Sequence, residues 1–143
     1  MTATTYKTFE TELRVRPDDI DMYQHVHNSK YFDYVQAARY EQMDVNYGMS
    51  MEAFLQRGLG WLVRAVHIVY KRPLLMGDYF IVQTSVEDIS KKSCRVRFSI
   101  VIKASGKVSA DGWFDFVMID MKTGKSLTIP EDIIVHYTQF VAG

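Results

Sequence analysis

Apolar and polar residues alternate strictly near the start of the chain. Between residues 6 and 16 one face carries Phe9, Thr11, Leu13 and Val15, while the other face is charged or hydroxylated. This two-residue period predicts a half-buried strand. Pro17 ends that strand because proline has no N–H to donate to a ladder. Residues 18 to 27 are therefore expected to form a loop.

A different pattern begins at residue 31. Neither proline nor glycine occurs from there to about residue 47, which favours one helix of about 25 Å at 1.5 Å per residue. Apolar side chains occupy more than one stripe of this helix, so we expect most of its surface to be buried. Asn28 or Ser29 is expected to cap its start, and Gly48 to lie just past its end.

Residues 61 to 121 have the pattern of consecutive strands. Extended segments are expected at 61–70, 78–89, 94–104 and 108–121, with turns at 90–93 and 105–107. Short helices are expected at 51–56 and 130–140. One strand, one long helix and a meander of antiparallel strands predict a single α+β domain over residues 1–143, with a curved sheet wrapped around the helix.

Composition narrows the class of protein. The chain has 143 residues, and its 17 basic and 17 acidic side chains give a net charge of zero. A neutral chain lacks the basic surface that nucleic-acid binding needs. The single cysteine, Cys94, excludes an internal disulfide. The N-terminal segment resembles neither a signal nor a transit peptide, and no apolar run approaches the length of a membrane span. We therefore expect a cytoplasmic protein.

The segment from Asp19 to Arg39 carries the candidate chemistry. Asp19 and Asp21 precede a turn that contains His25, His27 and Asn28, and this turn leads directly into the long helix. A carboxylate beside a helix N-terminus can act as a base or nucleophile towards a carbonyl, and the free N–H groups there can hold the resulting oxyanion. The two histidines are separated by one residue and have no third ligand at useful spacing, so no metal or other cofactor is expected.

The same segment resembles a known signature. The run Asp19-Ile-Asp21-Met-Tyr-Gln-His25-Val-His27-Asn28, followed by Tyr31, Tyr34 and Ala38-Arg39, is similar to D-x-D-x-x-G-H-V-N-N-x-x-Y-x-x-Y-x-E-x-A-R. That signature belongs to hotdog-fold thioesterases of the 4-hydroxybenzoyl-CoA thioesterase type. Tyr70-Lys71-Arg72-Pro73, with Gly77-Asp78 after it, resembles the next motif of the family, Y-x-x-P followed by G-D. The chain departs from the signature at Gln24, His27 and Gln36, where the family has Gly, Asn and Glu.

The resemblance covers essentially the whole chain and implies a function. It implies a hotdog fold and hydrolysis of a thioester between an acyl group and coenzyme A or acyl-carrier protein. Asp21 matches the loop carboxylate that activates water or attacks the carbonyl, Asn28 presents a backbone N–H to the thioester oxygen, and His25 completes the catalytic candidates. The residues expected to contact substrate are His27, Tyr31, Lys71 and Arg72. Homodimers or homotetramers with active sites at the dimer interface are also implied.

Each candidate also has a purely structural interpretation. Asp21 could close an Asx turn, and Asn28 could serve only as a cap. His25 could be an ordinary structural residue, and Lys71 with Arg72 could belong to a solvated turn.

Three further residues bear on the chemistry and the fold. Asp19 is expected to order the loop by hydrogen bonding, and Arg39 to pair with a carboxylate inside the fold. Gln36 leaves this chain without the helical acid that some hotdog enzymes use. Two alternatives to an acyl-CoA thioesterase therefore stay open: an acyl-carrier-protein thioesterase, and a hotdog domain that binds acyl thioesters or fatty acids without cleaving them.

Overall fold

The computed structural model describes residues 5–142. The first four residues of the N-terminal segment, for which no signal or transit peptide is predicted, lie outside the described residues. The strands are β1 (Thr8–Arg14), β2 (Leu59–Tyr70), β3 (Tyr79–Ile89), β4 (Cys94–Ile102), β5 (Val108–Asp120) and β6 (Ser126–Leu127). The helices are α1 (Tyr31–Val45), α2 (Met51–Gln56) and α3 (Glu131–Thr138). Two 3-10 turns, Pro17–Asp19 and Asn28–Lys30, lie between β1 and α1. The predicted long helix and the order of strands are thus confirmed.

All strands join one antiparallel sheet in the order β1-β3-β4-β5-β2, and the short β6 pairs with β5. The predicted meander is wrong for β2, which pairs with β5 and not with its sequence neighbour β3. Trp61 lies opposite Met118, and Tyr70 lies opposite Ala110 at the other end of this pair. The segment between β2 and β3 therefore carries the chain from one side of the sheet to the other.

Helix α1 packs on the inner face of the curved sheet, as in a hotdog fold. The Tyr34 ring contacts Phe80 with ring centroids 5.0 Å apart, and Phe32 contacts Phe114 at 5.2 Å. The inward side chains of β4 follow the predicted alternation, since Val96, Phe98 and Ile100 are all buried. The core therefore lies between α1 and the central strands.

The expectation that α1 is buried over most of its surface is wrong. Its buried residues recur at spacings of one, three and four and form a single face: Tyr31, Tyr34, Val35, Ala38, Arg39, Gln42 and Met43. The opposite face is open, with Tyr40 48% and Val45 69% exposed. Polar residues nevertheless lie on the buried face because they find partners there. The amide of Gln42 donates to the Thr11 hydroxyl at 3.0 Å and accepts from the Thr84 hydroxyl.

Arg39 does not have the carboxylate partner that was expected. Its side chain is buried, and its guanidinium carbon lies 4.6 Å from the centre of the Tyr47 ring, in a cation–π arrangement. One terminal nitrogen donates to the Thr84 hydroxyl at 3.4 Å. No carboxylate within residues 5–142 forms an ion pair with Arg39. An aromatic ring and a hydroxyl therefore take the place of the expected acid.

Over the described part of the chain, no helix combines the length and the hydropathy that crossing a bilayer requires.

Candidate active site

A cleft of about 450 Å³ opens beside the start of α1. It is formed by the loop before the helix, the 3-10 turn that begins at Asn28 and the segment that follows β2. All seven predicted site residues line it: Asp21, His25, His27, Asn28, Tyr31, Lys71 and Arg72. The fold thus brings two segments that are about 40 residues apart in sequence into one site.

The loop that carries Asp21 is a tight hairpin. Ile20 and Val26 form an antiparallel bridge, and the Gln24 N–H donates to the Asp21 carbonyl at 3.0 Å. Gln24 has a φ of 63°, in the left-handed region that glycine adopts most easily. A tight turn followed by a left-handed residue is a common short-hairpin geometry. A glycine, which the family signature has at this position, would adopt this conformation without strain, whereas Gln24 adopts it with a Cβ present.

The Asp21 carboxylate takes part in this turn through one of its oxygens. Its Oδ1 accepts from the backbone N–H groups of Tyr23, at 2.9 Å, and His25, at 3.2 Å. The turn role considered for Asp21 is therefore present. Its Oδ2 has no hydrogen-bond partner within residues 5–142. One oxygen thus orients the carboxylate, and the other is free to meet a water molecule or a substrate in the cleft.

The predicted cap at Asn28 or Ser29 is wrong, because His27 occupies the cap position. The Ser29 backbone N–H donates to His27 Nδ1 at 3.2 Å, and the Ser29 hydroxyl lies 2.8 Å from the same nitrogen. The chain enters α1 through a 3-10 turn, so the cap falls earlier than the start of the α-helix indicates. Lys30, immediately before α1, makes no side-chain cap.

Asn28 contributes backbone groups to the cleft. Its carbonyl accepts from the Tyr31 N–H and from the Tyr70 hydroxyl at 3.0 Å. Its N–H has no acceptor among the described residues, as expected for the first residue of a helical turn. Because this N–H belongs to the turn that leads into α1, it lies at the positive end of the helix dipole. An oxyanion in the cleft can accept from it.

Tyrosines form the wall of the cleft. Tyr31 is only 2% exposed, and its hydroxyl accepts from the Leu74 N–H at 2.9 Å. Its ring contacts Tyr70 edge-on at 5.1 Å. Tyr70 was not among the predicted site residues, although it begins the Y-x-x-P block and its position in that motif was the available signal. Both rings brace the turn against the end of β2.

Lys71 and Arg72 lie exposed at the mouth of the cleft. The Lys71 ammonium contacts the Asp111 carboxylate at 2.8 Å, and Arg72 donates to the Val108 carbonyl at 3.0 Å. Their backbone N–H groups both donate to the Ser109 carbonyl. These contacts fit the solvated-turn interpretation, yet surface ion pairs of this kind contribute only about 0–1 kcal/mol. The Lys71–Asp111 pair is therefore weak enough to be exchanged for another anion.

Two other acidic or amide positions lie outside the cleft. The Tyr34 hydroxyl donates to Asp19 Oδ2 at 2.7 Å, so Asp19 orders the loop as expected. Gln36 lines a separate pocket of about 130 Å³ together with Trp61 and Phe114. Among residues 5–142, Asp21 is the only carboxylate that lines the cleft.

Comparison with known proteins places this geometry in a family. A model of the thioesterase-like superfamily matches residues 15–135. The long-chain acyl-CoA thioesterase FadM of Escherichia coli strain K12 is 27% identical over 132 residues, covering 92% of this chain and 98% of FadM.

Solved structures agree with this match. DHNA-CoA thioesterase from Staphylococcus aureus superposes with a TM-score of 0.86 at 19% identity, covering 92% of this chain and 89% of that one. YbaW, a probable thioesterase from Escherichia coli, gives a TM-score of 0.79 at 26% identity, covering 93% and 98% of the two chains. The chain therefore belongs to the thioesterase-like superfamily and has its hotdog fold.

Proposed function

We propose that this protein hydrolyses acyl-CoA thioesters to a free carboxylic acid and coenzyme A. The observation that carries the proposal is one cleft lined by both Asp21 and Asn28, in which the Asp21 Oδ2 and the Asn28 backbone N–H have no partner within residues 5–142. These are the two elements that attack on a carbonyl requires, a base and an oxyanion donor. FadM and the Staphylococcus aureus enzyme are named as thioesterases of CoA thioesters.

In the proposed mechanism Asp21 acts as a general base. Its Oδ2 accepts a proton from water while the water oxygen bonds to the thioester carbon. The negative charge that forms on the carbonyl oxygen is stabilised by the Asn28 N–H and the start of α1. The C–S bond then breaks, and coenzyme A leaves as a thiolate, which needs no dedicated general acid. Direct attack by Asp21 on the carbonyl is the alternative route.

The other predicted residues support this chemistry. The His25 N–H orients Asp21, and the His25 imidazole lines the same cleft. Lys71 and Arg72, at the mouth, are proposed to bind the phosphates of coenzyme A. His27 and Tyr31 are proposed to contact the part of the substrate nearest the thioester.

We propose that the active protein is a homodimer or a homotetramer. Strand β2 is an edge strand, and its outer edge has no partner within residues 5–142. It exposes Leu62, Val66 and Val69, each more than 40% accessible. A long edge strand with exposed apolar side chains is prone to pair with another chain. Pairing of two β2 strands would cover this edge and bring the partner close to the site.

The test is a thiol-release assay on short, medium, long and aromatic acyl-CoA thioesters. Asp21→Asn is expected to lower kcat by roughly 10² to 10⁴-fold, as is typical for loss of a general base. The matched control is Asp18→Asn, because Asp18 is an exposed acid nearby that pairs with Arg16 and lies outside the cleft. If Asp21→Asn hydrolyses substrates as fast as the wild type, the assignment of Asp21 is wrong.

Two observations favour a second function, binding without cleavage. Asp21 Oδ1 is held in a turn, and Gln36 replaces the helical acid. A wild-type protein that binds acyl-CoA but releases no thiol from any member of the panel would support this alternative. Turnover of one acyl chain on coenzyme A and on acyl-carrier protein distinguishes the two carriers.

A further inference from the structure

His27 is the position where this chain gives the catalytic turn a side chain that the family signature lacks. The signature has asparagine there, whereas this chain has an imidazole that caps the turn and lines the cleft. A cap requires only one acceptor atom, and Nδ1 supplies it. The other ring nitrogen, Nε2, takes no part in the cap, and its protonation follows from the role of Nδ1.

The cap contact favours one position for the imidazole proton. The Ser29 backbone N–H can only donate, so the Nδ1 that receives it carries a lone pair, and the Ser29 hydroxyl 2.8 Å away then also donates to Nδ1. A neutral imidazole with Nδ1 unprotonated has its proton on Nε2. The Nε2 atom is separated from Nδ1 by one ring carbon, and it has no hydrogen-bond partner within residues 5–142. The turn thus holds His27 as a donor whose N–H is unpaired.

We propose that His27 Nε2–H is a second hydrogen-bond donor to the thioester oxygen, acting beside the Asn28 backbone N–H. This inference rests on the proposed function. The two donors belong to adjacent residues, and both residues line the same cleft. A neutral imidazole can polarise a carbonyl in this way, and a pair of donors aimed at the developing oxyanion is an effective catalytic arrangement.

The proton stays on Nε2 throughout the reaction. Water loses its proton to Asp21, the C–S bonding pair leaves with the thiolate, and His27 only strengthens its hydrogen bond as charge develops on oxygen. His27 does not act as a general base while the cap is intact, because the lone pair of Nδ1 already accepts the Ser29 backbone N–H. A role as general acid would leave an imidazole anion, which is unfavourable near neutral pH.

Two substitutions separate this role from the cap. His27→Ser keeps a good cap residue but removes the Nε2 donor, whereas His27→Ala removes both. We expect both variants to lower kcat by roughly 10²-fold, as is usual for loss of one oxyanion donor. Only His27→Ala should also lower the melting temperature. If His27→Ser is as active as the wild type, His27 is a cap alone and the inference is wrong.

Binding of two unreactive analogues tests the contact without turnover. A ketone analogue, with CH₂ in place of sulfur, retains the carbonyl oxygen, and a thioether analogue lacks it. His27→Ser is expected to raise the Kd of the ketone analogue by about tenfold, the scale of one lost hydrogen bond, and to leave the Kd of the thioether analogue unchanged. An equal rise in both Kd values, or no rise in either, would overturn the proposed contact. Failure of the wild type to release thiol would instead refute the proposed function.

Discussion

Replacing Tyr34 by phenylalanine removes one hydroxyl that joins α1 to the loop in front of the active site. This hydroxyl donates to Asp19 Oδ2 at 2.7 Å and accepts from the Arg16 backbone N–H at 3.0 Å. Tyr34 is only 5% exposed, so a phenylalanine ring would keep the packing while both former partners lose the hydroxyl. The substitution therefore leaves a carboxylate oxygen and a backbone N–H short of one hydrogen bond each.

The magnitude follows from these two contacts. A hydrogen bond to a charged group contributes about 1.5–3 kcal/mol, and one between neutral groups about 0.5–1.5 kcal/mol. Asp19 keeps a longer contact with the Arg16 side chain, at 3.8 Å. We therefore expect Tyr34→Phe to lower the free energy of unfolding by about 2–4 kcal/mol. Tyr31→Phe is the matched control, because its buried hydroxyl has one partner within residues 5–142, the Leu74 N–H, and the substitution should cost about 1 kcal/mol.

The assay is urea unfolding of the three proteins, followed by tryptophan fluorescence. Tyr34→Phe should shift the midpoint at least twice as far as Tyr31→Phe, with an unchanged slope. A loss for Tyr34→Phe no larger than that for Tyr31→Phe would show that the Asp19 and Arg16 contacts contribute little, and the reasoning would be refuted. The same variant should also lose thioesterase activity well below its unfolding temperature, since the loop that carries Asp21 loses an anchor.

Two other predictions concern the same region. Gln24→Gly should raise the free energy of unfolding, measured by thermal unfolding, by about 0.5–1 kcal/mol, because removing the strain of a left-handed residue (about 1–2 kcal/mol) outweighs the extra entropy of glycine in the unfolded chain. Gln24→Ala, which retains a Cβ, should give no gain in stability. A gain equal to that of glycine would contradict the explanation. Burial and the Asp19 hydrogen bond raise the pKa of Tyr34 from 10.0 to about 12, so its stabilising contribution is complete below pH 10 and is lost as the pH rises towards 12. Tyr34→Phe should accordingly show a shallower loss of urea midpoint across that range, and an identical slope in both proteins would count against it.

Local signals account for most of the elements. The two-residue alternation of β4 predicted its buried face, because alternate side chains of a strand point to the same side of the sheet. Val96, Phe98 and Ile100 share that side and are buried. The absence of glycine and proline from residue 31 onwards predicted α1, and Gly48 follows its end with a φ of 69°. These features depend on backbone preferences and on neighbours within a few residues, which a sequence displays directly.

The grouping of residues around the candidate cleft was predictable to a similar degree, for a different reason. Asp21, His25 and Asn28 lie within eight residues of one another, so any compact turn keeps them together. Lys71 and Arg72 came from the resemblance to a family motif, because nothing local connects them to that turn. Tyr70 was missed as a wall of the cleft, since its contact with the Asn28 carbonyl exists only after β2 has paired with β5.

Other features depend on contacts between distant segments. The pairing of β2 with β5, the aromatic partner of Arg39 and the burial of Gln42 all require surfaces that meet only in the folded chain. Periodicity shows that a strand or helix has a buried face, but it does not identify which element covers that face. The cap at His27 is of the same kind, because it depends on a 3-10 turn whose geometry the packed loop imposes. Polar residues were hardest to place, since their burial depends on finding a partner and not on hydropathy.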